Sequence, residues 1–376
     1  MEKAEVFGDF FRSKQVSIIT GVPDSVLAGL IHRIDADFSE CHVIAANEGN
    51  ALSIALGNFL ANQGPGVVYL QNSGLGNLLN PIASLAHRDV CAIPVFLVIG
   101  WRGEPGVVDE PQHTKQGGCT TDLLDLLDIP WWVIEPHADA ASVLESAWSE
   151  MLHRESPVAV LVRNKFFKAT KGEENRGAAF EQAQSLRREQ AIELLLELIQ
   201  PEDVIISTTG KTSRELHDLR ATRNEVVEDF LTVGGMGHAS SIALGVALAQ
   251  PDRRVVCLDG DGAALMHLGA VATIGARKPQ NFVHVLFNNR AHESVGGQPT
   301  ASPGLNFKAL SAACNYEQYV YAETKEQLRG AWVEVTNRKG PAFLEISISQ
   351  GSNPALGRPT DTPAANKACF RKKMAT

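Results

Sequence analysis

The chain has 376 residues, a formal net charge of −9 and 44% hydrophobic residues, which is typical of a globular protein long enough for two domains. The negative charge argues against binding to nucleic acid or to an anionic membrane, although a local basic cluster can still bind a small anion. Six scattered cysteines without a CxxC pair argue against a zinc site or a disulfide framework. No signal-peptide pattern and no apolar run of roughly 20 residues is present, so we expect a soluble cytoplasmic protein.

Short runs rich in β-branched residues alternate with helical patterns along the first half of the chain. Because both faces of these runs are apolar, they predict a parallel sheet that is covered by helices on both sides. The predicted strands are residues 17–20, 42–46, 66–71, 91–100, 131–136 and 157–163.

The pattern changes over residues 164–190, where charged residues and glycine replace the strand signal, as in a linker that leads into a helix. The alternation then resumes and predicts a second parallel sheet, so the expected fold class is α/β with two doubly wound domains. Its strands are predicted at residues 203–208, 226–233, 253–260, 281–289, 317–324 and 341–348. The predicted boundaries are a first domain at 1–165, a linker at 166–185 and a second domain at 186–376.

The motif Gly-Asp-Gly at 260–262 directly follows a predicted strand of the second domain. Its glycines allow a close approach of the backbone to a ligand, and its carboxylate, Asp261, is costly to bury without a cation. The next predicted strand ends at Asn289, and adjacent parallel strands bring their carboxyl ends together. Carboxylate, amide and backbone oxygens suit Mg²⁺, which completes its coordination with phosphate oxygens.

Two further glycine-rich turns, at 207–213 and 233–241, precede predicted helices, where free backbone N–H groups can bind a diphosphate. The first contains Gly-Lys-Thr, as a Walker A loop does, but that motif requires a glycine where Ile205 stands. An ordinary P-loop is therefore excluded, and each turn taken alone is more typical of a tight connection.

The spacing of the Gly-Asp-Gly and Asn-Asn motifs, each at a strand end, resembles the signature of the thiamine-diphosphate enzymes. By that resemblance the side chains of Asp261 and Asn289 and the backbone carbonyl of Ala291 bind Mg²⁺, and the cofactors are thiamine diphosphate and Mg²⁺. Glu48 matches the family's glutamate at the aminopyrimidine ring, although the helix dipole alone explains an acidic residue at a helix start. The implied cofactor-binding residues are Glu48, Thr209, Gly210, Gly234, Met236, Gly260, Asp261, Gly262 and Asn289.

The same resemblance assigns roles to the turn around Met236. In the family a bulky apolar residue there separates the two cofactor rings, and a nearby carbonyl, here that of Gly234, receives the aminopyrimidine. Core packing is the alternative for Met236. The family's two domains bind the pyrimidine and the diphosphate, and the linker leaves no room for a middle domain. The cofactor lies between domains of two subunits, which implies a homodimer or higher homo-oligomer with the active site at the interface.

Several motifs, among them residues 21–25, 71–77 and 100–117, resemble the thiamine-dependent 2-keto acid decarboxylases that act on phosphonopyruvate, and less closely those that act on sulfopyruvate. The implied reaction is non-oxidative: the thiamine C2 carbanion attacks the keto carbon, carbon dioxide leaves, and protonation of the enamine releases phosphonoacetaldehyde in phosphonate biosynthesis. Sulfopyruvate as substrate, a carboligase and a catalytically silent binding module are the alternatives. Arg290 stands where a smaller residue is expected, but the metal ligands are unaffected.

A substrate with two anionic ends requires matching groups on the loops that follow the strands. Residues in suitable places for substrate contact are Arg102, Gln112, His113, Lys115, Lys211, Thr212, His238 and His292. The predicted catalytic residues are Glu48, His113, His292 and Asp24, the histidines as proton donors to the enamine. A loop lysine or histidine taken alone is more often a solvated surface group. Lys211 is also placed for the diphosphate, and Asp24 for capping a helix.

Overall fold

The computed structural model describes residues 3–62, 64–135, 139–167 and 186–375. The chain forms two compact units, each with its own sheet. Near the end of the first unit, Phe166 and Phe167 pack edge-on against Phe7 inside its core. The remainder of the predicted linker, 168–185, lies outside the described residues, and the predicted domain boundaries stay a prediction.

The first unit contains a six-stranded parallel sheet in the order β2-β1-β3-β4-β6-β5. Each of its strands falls within or overlaps a predicted run, so the sequence pattern located all six. The strands are β1 (Ile19–Gly21), β2 (His42–Ile44), β3 (Gly66–Gln71), β4 (Val95–Trp101), β5 (Trp131–Ile134) and β6 (Val158–Arg163). The helices are α1 (Lys3–Ser13), α2 (Ala28–Asp37), α3 (Glu48–Asn62), α4 (Leu75–Pro81), α5 (Pro111–Gly118), α6 (Thr120–Leu126) and α7 (Ala140–Arg154).

Helices cover both faces of this sheet, and each face has its own core. In β4, Phe96 faces the core shared with α1, α2 and α7, whereas Leu97 faces the core shared with α3, α4 and α6. Every residue of β4 is buried, and each fully buried side chain of this size contributes about 1.5–3 kcal/mol. This two-sided burial explains why the strand is an unbroken apolar run in the sequence.

The second unit has a seven-stranded parallel sheet in the order β12-β13-β11-β10-β8-β9, with β7 paired to β13. Its strands are β7 (Leu186–Arg187), β8 (Val204–Ser207), β9 (Phe230–Leu231), β10 (Val255–Gly260), β11 (Phe282–Asn288), β12 (Gln318–Ala322) and β13 (Ala342–Ser349). The helices are α8 (Arg188–Leu198), α9 (Lys211–Thr222), α10 (Ala239–Ala249), α11 (Asp261–Met266), α12 (Gly269–Arg277), α13 (Phe307–Ala313), α14 (Lys325–Thr336) and α15 (Pro363–Ala375).

The predicted α/β class with two parallel sheets is confirmed, and two strand details differ. β7 was not predicted, since two residues carry no periodic signal. β9 is much shorter than the predicted run at 226–233, because Asp229 pairs with Arg220 of α9 at 2.9 Å instead of continuing a strand. The Asn366 side chain of α15 accepts a hydrogen bond from the Leu231 N–H, which covers this sheet edge.

In the described segments, none of the helices has both the length and the apolar character that crossing a lipid bilayer requires.

Candidate active site

Asp261 is the first residue of α11, immediately beyond the carboxyl end of β10, and only 2% of its surface is exposed. The Thr300 hydroxyl donates a hydrogen bond to its Oδ2 at 2.5 Å. Burial raises the pKa of the Asp261 carboxyl, while hydroxyls of Thr300 and Ser302 and backbone N–H groups oppose the shift. In the described part of the chain no lysine, arginine or histidine pairs with this carboxylate, so its charge fits a bound cation.

Asn289 lies at the same sheet edge, because β10 and β11 are adjacent, with Gly260 paired to Phe287. Its Oδ1 accepts the Ala291 N–H at 3.1 Å, and its Nδ2 donates to Glu293 at 2.9 Å. The intervening Arg290 has φ +61, the left-handed region that favours glycine or asparagine. The three oxygen ligands predicted for Mg²⁺ come from the side chains of Asp261 and Asn289 and from the Ala291 carbonyl. This sharp turn therefore places them at the same end of two neighbouring strands.

The predicted diphosphate-binding turn after β8 is joined to the loop after β9. Thr209 Oγ1 donates to the Val233 carbonyl at 2.9 Å. Gly210 has φ +90 directly before α9, a conformation that an L side chain strains. Thr212 is buried in the first turn of α9. The α9 N–H groups thus face the carboxyl edge of the sheet, where an anion is favoured.

The turn after β9 contains two glycines with positive φ, Gly235 at +65 and Gly237 at +86. A Cβ on Gly237 would lie 2.6 Å from the His267 ring, so only glycine fits there. Met236 is half-buried, and the His238 and His267 rings contact each other at a tilt of 55°, with 4.4 Å between their centroids. His267 was not predicted as a site residue from the sequence. It could have been noticed only because its segment follows the end of a predicted strand.

In the first unit, Glu48 begins α3 just beyond β2 and is 5% exposed. Asn77 of α4 donates from Nδ2 to Glu48 Oε2 at 2.6 Å. Gly74 lies against the same carboxylate, since a Cβ there would be 2.2 Å from Oε1. The Glu48 carboxylate is therefore held by a hydrogen bond from the Asn77 amide, and it fits in its place because residue 74 is a glycine.

Replacing Gly74 by alanine should displace Glu48 while the fold remains intact. The clash involves the Glu48 side chain from Cγ to Oε1, which a rotation about its Cα–Cβ bond can relieve, whereas the helix that contains Glu48 need not move. We expect Gly74→Ala to lose at least about 100-fold in turnover, the lower range for a proton-transfer group, with a melting temperature within a few degrees.

Gly76→Ala is the matched control, because a Cβ at position 76 meets nothing within 4 Å. Turnover assays and thermal melts of the two variants check the prediction. Equal activity in both would contradict the tight fit between Gly74 and Glu48.

Asp24 is fully buried beyond β1, and its Oδ2 accepts the N–H groups of Val26 and Leu27 at 3.1 and 3.3 Å. Its Oδ1 has no hydrogen-bond partner among the described atoms. Burial raises the pKa of Asp24 to about 6, opposed by the nearby Arg102 guanidinium. Gly100 is required beside it, since a Cβ there would lie 2.0 Å from Oδ2.

Arg102, which we expect to bind the substrate, forms a bidentate ion pair with Asp109. Its Nε lies 2.8 Å from Asp109 Oδ2, and its Nη2 lies 2.5 Å from Oδ1. Its backbone N–H donates to Asn72 Oδ1 at 3.0 Å, which fixes the loop after β4. His113 lies on α5 and is half-buried, and its pKa is lowered mainly by burial and further by the Arg102 charge. Gln112 is half-buried and Lys115 exposed, both on α5.

His292 packs over the Gly-Asp-Gly turn, because a Cβ on Gly262 would lie 3.1 Å from its ring. Burial lowers the pKa of His292 to about 4, so its ring is neutral near pH 7. A neutral imidazole is a much weaker acid than an imidazolium. Lys211, another predicted substrate residue, has its ammonium 3.0 Å from Glu293 Oε1.

Beneath the Gly-Asp-Gly turn lies a fully buried polar group that the sequence did not reveal. His284 Nε2 is 3.3 Å from Asp259 Oδ2, and His284 Nδ1 is 3.2 Å from the Tyr316 hydroxyl. Asp259 Oδ1 accepts the Gly260 N–H at 2.9 Å, and Cys257 lies alongside. This cluster supports the turn that presents Asp261.

The supporting residues Asn77, Asp109, Glu293 and Thr300 were missed as well. All lie within or beside motifs that the sequence singled out, but nothing in a single sequence distinguishes a supporting polar side chain from a solvated one. Their role becomes visible only once the loops are folded against each other.

The chain matches two family descriptions: "Thiamine pyrophosphate enzyme, N-terminal TPP binding domain" at residues 1–125 and "Thiamine pyrophosphate enzyme, C-terminal TPP binding domain" at residues 208–346. It is 38% identical over 373 residues to a phosphonopyruvate decarboxylase of Streptomyces viridochromogenes, which covers 96% of this chain and 92% of the relative. A phosphonopyruvate decarboxylase of Streptomyces hygroscopicus is 37% identical over 369 residues, covering 95% and 90%. A sulfopyruvate decarboxylase of Methanosarcina acetivorans is more distant, at 23% identity over 377 residues, covering 96% and 94%.

Proposed function

The chain belongs to the thiamine pyrophosphate enzymes and, among them, to the phosphonopyruvate decarboxylase family, and from this membership we propose that it decarboxylates 3-phosphonopyruvate without oxidation. The products are phosphonoacetaldehyde and carbon dioxide, as in a step of phosphonate biosynthesis in the cytoplasm. The observation that carries the proposal is a buried carboxylate, Asp261, at the same edge of the sheet where Asn289 directly follows the neighbouring strand.

Thiamine diphosphate, when bound, supplies the electron sink for the pair left behind as carbon dioxide departs. Asp261, Asn289 and the Ala291 carbonyl would hold Mg²⁺, and the glycine-rich turns at 207–213 and 233–241 would hold the diphosphate. Within the second turn the Gly234 carbonyl would receive the aminopyrimidine and Met236 would separate the two rings. The fit rests on the uncompensated charge of Asp261 and on the glycine conformations at these turns.

Glu48 would hold the proton that is exchanged with the aminopyrimidine ring of the bound cofactor. Its Oε2 already accepts from Asn77, so Oε1 is the atom left for this transfer. The burial of Glu48 excludes water from the exchange, and the lack of a side chain at Gly74 gives the carboxylate its place.

The final proton is delivered to the carbon that loses carbon dioxide, and three residues are proposed for this step. Asp24 has a pKa raised to about 6 and a free Oδ1, so its carboxyl carries a proton in part of the population near neutral pH. His113 lies on α5, in the connection that follows β4, and His292 lies over the Gly-Asp-Gly turn. Because the pKa of His292 is lowered to about 4, its ring is neutral near pH 7 and it is a poorer proton donor than Asp24.

Substrate binding draws on the loops beyond the strands. Because Asp109 and Glu293 already neutralise Arg102 and Lys211, these two contribute hydrogen bonds more than net charge. The remaining residues proposed to contact the substrate are Gln112, His113, Lys115, Thr212, His238 and His292.

We also propose a homodimer or a higher homo-oligomer, with the active site at the subunit interface. α10 contains no charged residue, and its Ile242 and Leu248 are 36% and 47% exposed. α3 likewise exposes Ile54 at 36% and Leu60 at 72%. A helix that is apolar on every side belongs inside a larger core, so a second copy of the chain is the proposed cover.

The test is parallel turnover of phosphonopyruvate, sulfopyruvate and pyruvate with thiamine diphosphate and Mg²⁺, measuring both aldehyde and carbon dioxide. We expect kcat/KM for phosphonopyruvate to exceed that for pyruvate by about 10⁴-fold, because the second anionic group is recognised by polar contacts. Preference for sulfopyruvate would keep the reaction and change the pathway. Absence of aldehyde from all three, with cofactor bound, would favour a carboligase.

A further inference from the structure

Glu293 is the most heavily hydrogen-bonded carboxylate near the predicted Mg²⁺ ligands. Oε2 accepts from Arg188 Nη1 at 3.1 Å and from Asn289 Nδ2 at 2.9 Å. Oε1 accepts from Lys211 Nζ and from the Gly351 N–H, both at 3.0 Å. A carboxylate has about four acceptor positions, and here all four are filled, so Glu293 itself is neither a metal ligand nor a base.

The donors around Glu293 come from four separate places in the second unit: the starts of α8 and α9, the turn after β11 and the end of β13. Arg188 is also paired with Glu215 through Nε at 2.8 Å and Nη2 at 3.0 Å. Two cations and two anions make the network neutral as a whole. Its effect on the neighbouring site is therefore one of geometry and not of added charge.

That geometry decides which end of the Asn289 amide faces the cation. A carboxylate can only accept hydrogen bonds, so Glu293 must face the Asn289 NH₂ group and Oδ1 must point away from it. Oδ1 uses one lone pair on the Ala291 N–H and keeps the other. We propose that Glu293 is a positioning residue that fixes the Asn289 amide so that its oxygen binds the divalent cation. This inference rests on the proposed function.

The substitution Glu293→Gln tests the proposal. On the Oε1 side both partners, the Lys211 ammonium and the Gly351 N–H, can only donate, so the glutamine oxygen turns to them. The glutamine NH₂ group then lies on the Oε2 side, where Arg188 loses one bond but keeps two to Glu215, and Asn289 is the partner that can reverse its amide. Asn289 then rotates its oxygen toward position 293 and its nitrogen toward the cation. We expect a 10- to 100-fold weaker affinity for Mn²⁺, the typical cost of losing a partner that orients a metal ligand.

The measurement is free Mn²⁺ by electron paramagnetic resonance during titration of the protein with thiamine diphosphate, together with a thermal melt. Glu317→Gln is the matched control, because Glu317 pairs with Lys278 on the surface of the same unit at 3.1 Å. An affinity for Mn²⁺ in Glu293→Gln equal to that of the control would overturn the positioning role.

A second substitution separates positioning from a general structural role. In the double variant Glu293→Gln with Asn289→Asp, either end of residue 289 is an oxygen, so the Mn²⁺ affinity should recover most of its loss. Asn289→Asp alone places two carboxylates together and should bind Mn²⁺ more weakly than the double variant. Losses that simply add would overturn the proposal.

If Glu293→Gln alone does not fold, the comparison of Asn289→Asp with the double variant decides the question in the same way. If the wild-type protein does not bind Mn²⁺ with thiamine diphosphate at all, the proposed function fails and this inference fails with it. Wild-type binding with unchanged affinity in Glu293→Gln leaves the function in place and removes only the role of Glu293.

Discussion

Glu48→Gln should bind thiamine diphosphate and Mg²⁺ as the wild-type protein does and yet lose about 10²- to 10⁴-fold in turnover. The amide oxygen of glutamine can still accept the hydrogen bond from Asn77, now 2.6 Å from Oε2, so the side chain keeps its place. What it cannot do is exchange a proton. The loss therefore falls on the step that activates the cofactor and leaves binding intact.

Isothermal titration with thiamine diphosphate and a turnover assay, run on the same preparation, separate the two effects. Glu40→Gln is a suitable control, because Glu40 is an exposed acidic residue of the same unit. Full activity in Glu48→Gln would remove Glu48 from the mechanism. A loss of thiamine diphosphate binding as large as the loss of turnover would mean that Glu48 binds the cofactor and does not carry a proton.

Asp261→Ala should lose cation-dependent cofactor binding, by more than about 100-fold in affinity, since a direct ligand contributes more than its supporting partners. The fold should persist, because the substitution removes a carboxylate whose burial is costly and leaves the Thr300 hydroxyl bonded to Ser302 at 2.8 Å. The measurement is thiamine diphosphate binding at increasing Mg²⁺ concentration, with a thermal melt beside it.

Asp252→Ala provides the comparison, as Asp252 is an exposed residue just before β10, at the opposite end of the strand from Asp261. Binding should be unchanged in that variant. Retained Mg²⁺-dependent binding in Asp261→Ala would contradict the proposed metal site.

The strands were predictable from the sequence because burial on both faces leaves an unbroken apolar run, as in β4 and β11. β7 could not be predicted, since a two-residue strand shows no periodicity. The length of β9 could not be predicted either, because the ion pair of Asp229 with Arg220, which shortens the strand, joins residues of different elements. Local pattern thus located the sheets, and contacts between elements decided where the edge strand begins and ends.

At the site, the predicted ligands follow strands directly, so topology alone brought Asp261 and Asn289 to one edge. The partners that hold them could not be predicted in the same way. Thr300 is 39 residues from Asp261 in the chain, and Arg188 is 105 residues from Glu293. The pairing of Arg102 with Asp109 was also missed, because an irregular loop has no repeat from which a contact could be read.

The parallel pairing of β10 with β11 has a consequence for how the chain can vary in length. The connection between them passes through α11 and α12 and returns to the amino end of β11 at Phe282, on the edge opposite to Asp261. Insertions after Arg277 would therefore lengthen the interval between the two motifs without moving either ligand. One residue inserted within β11 would instead turn its side chains to the wrong faces. Evolution can thus change the distance between the motifs along the sequence, but not the count of residues within each strand.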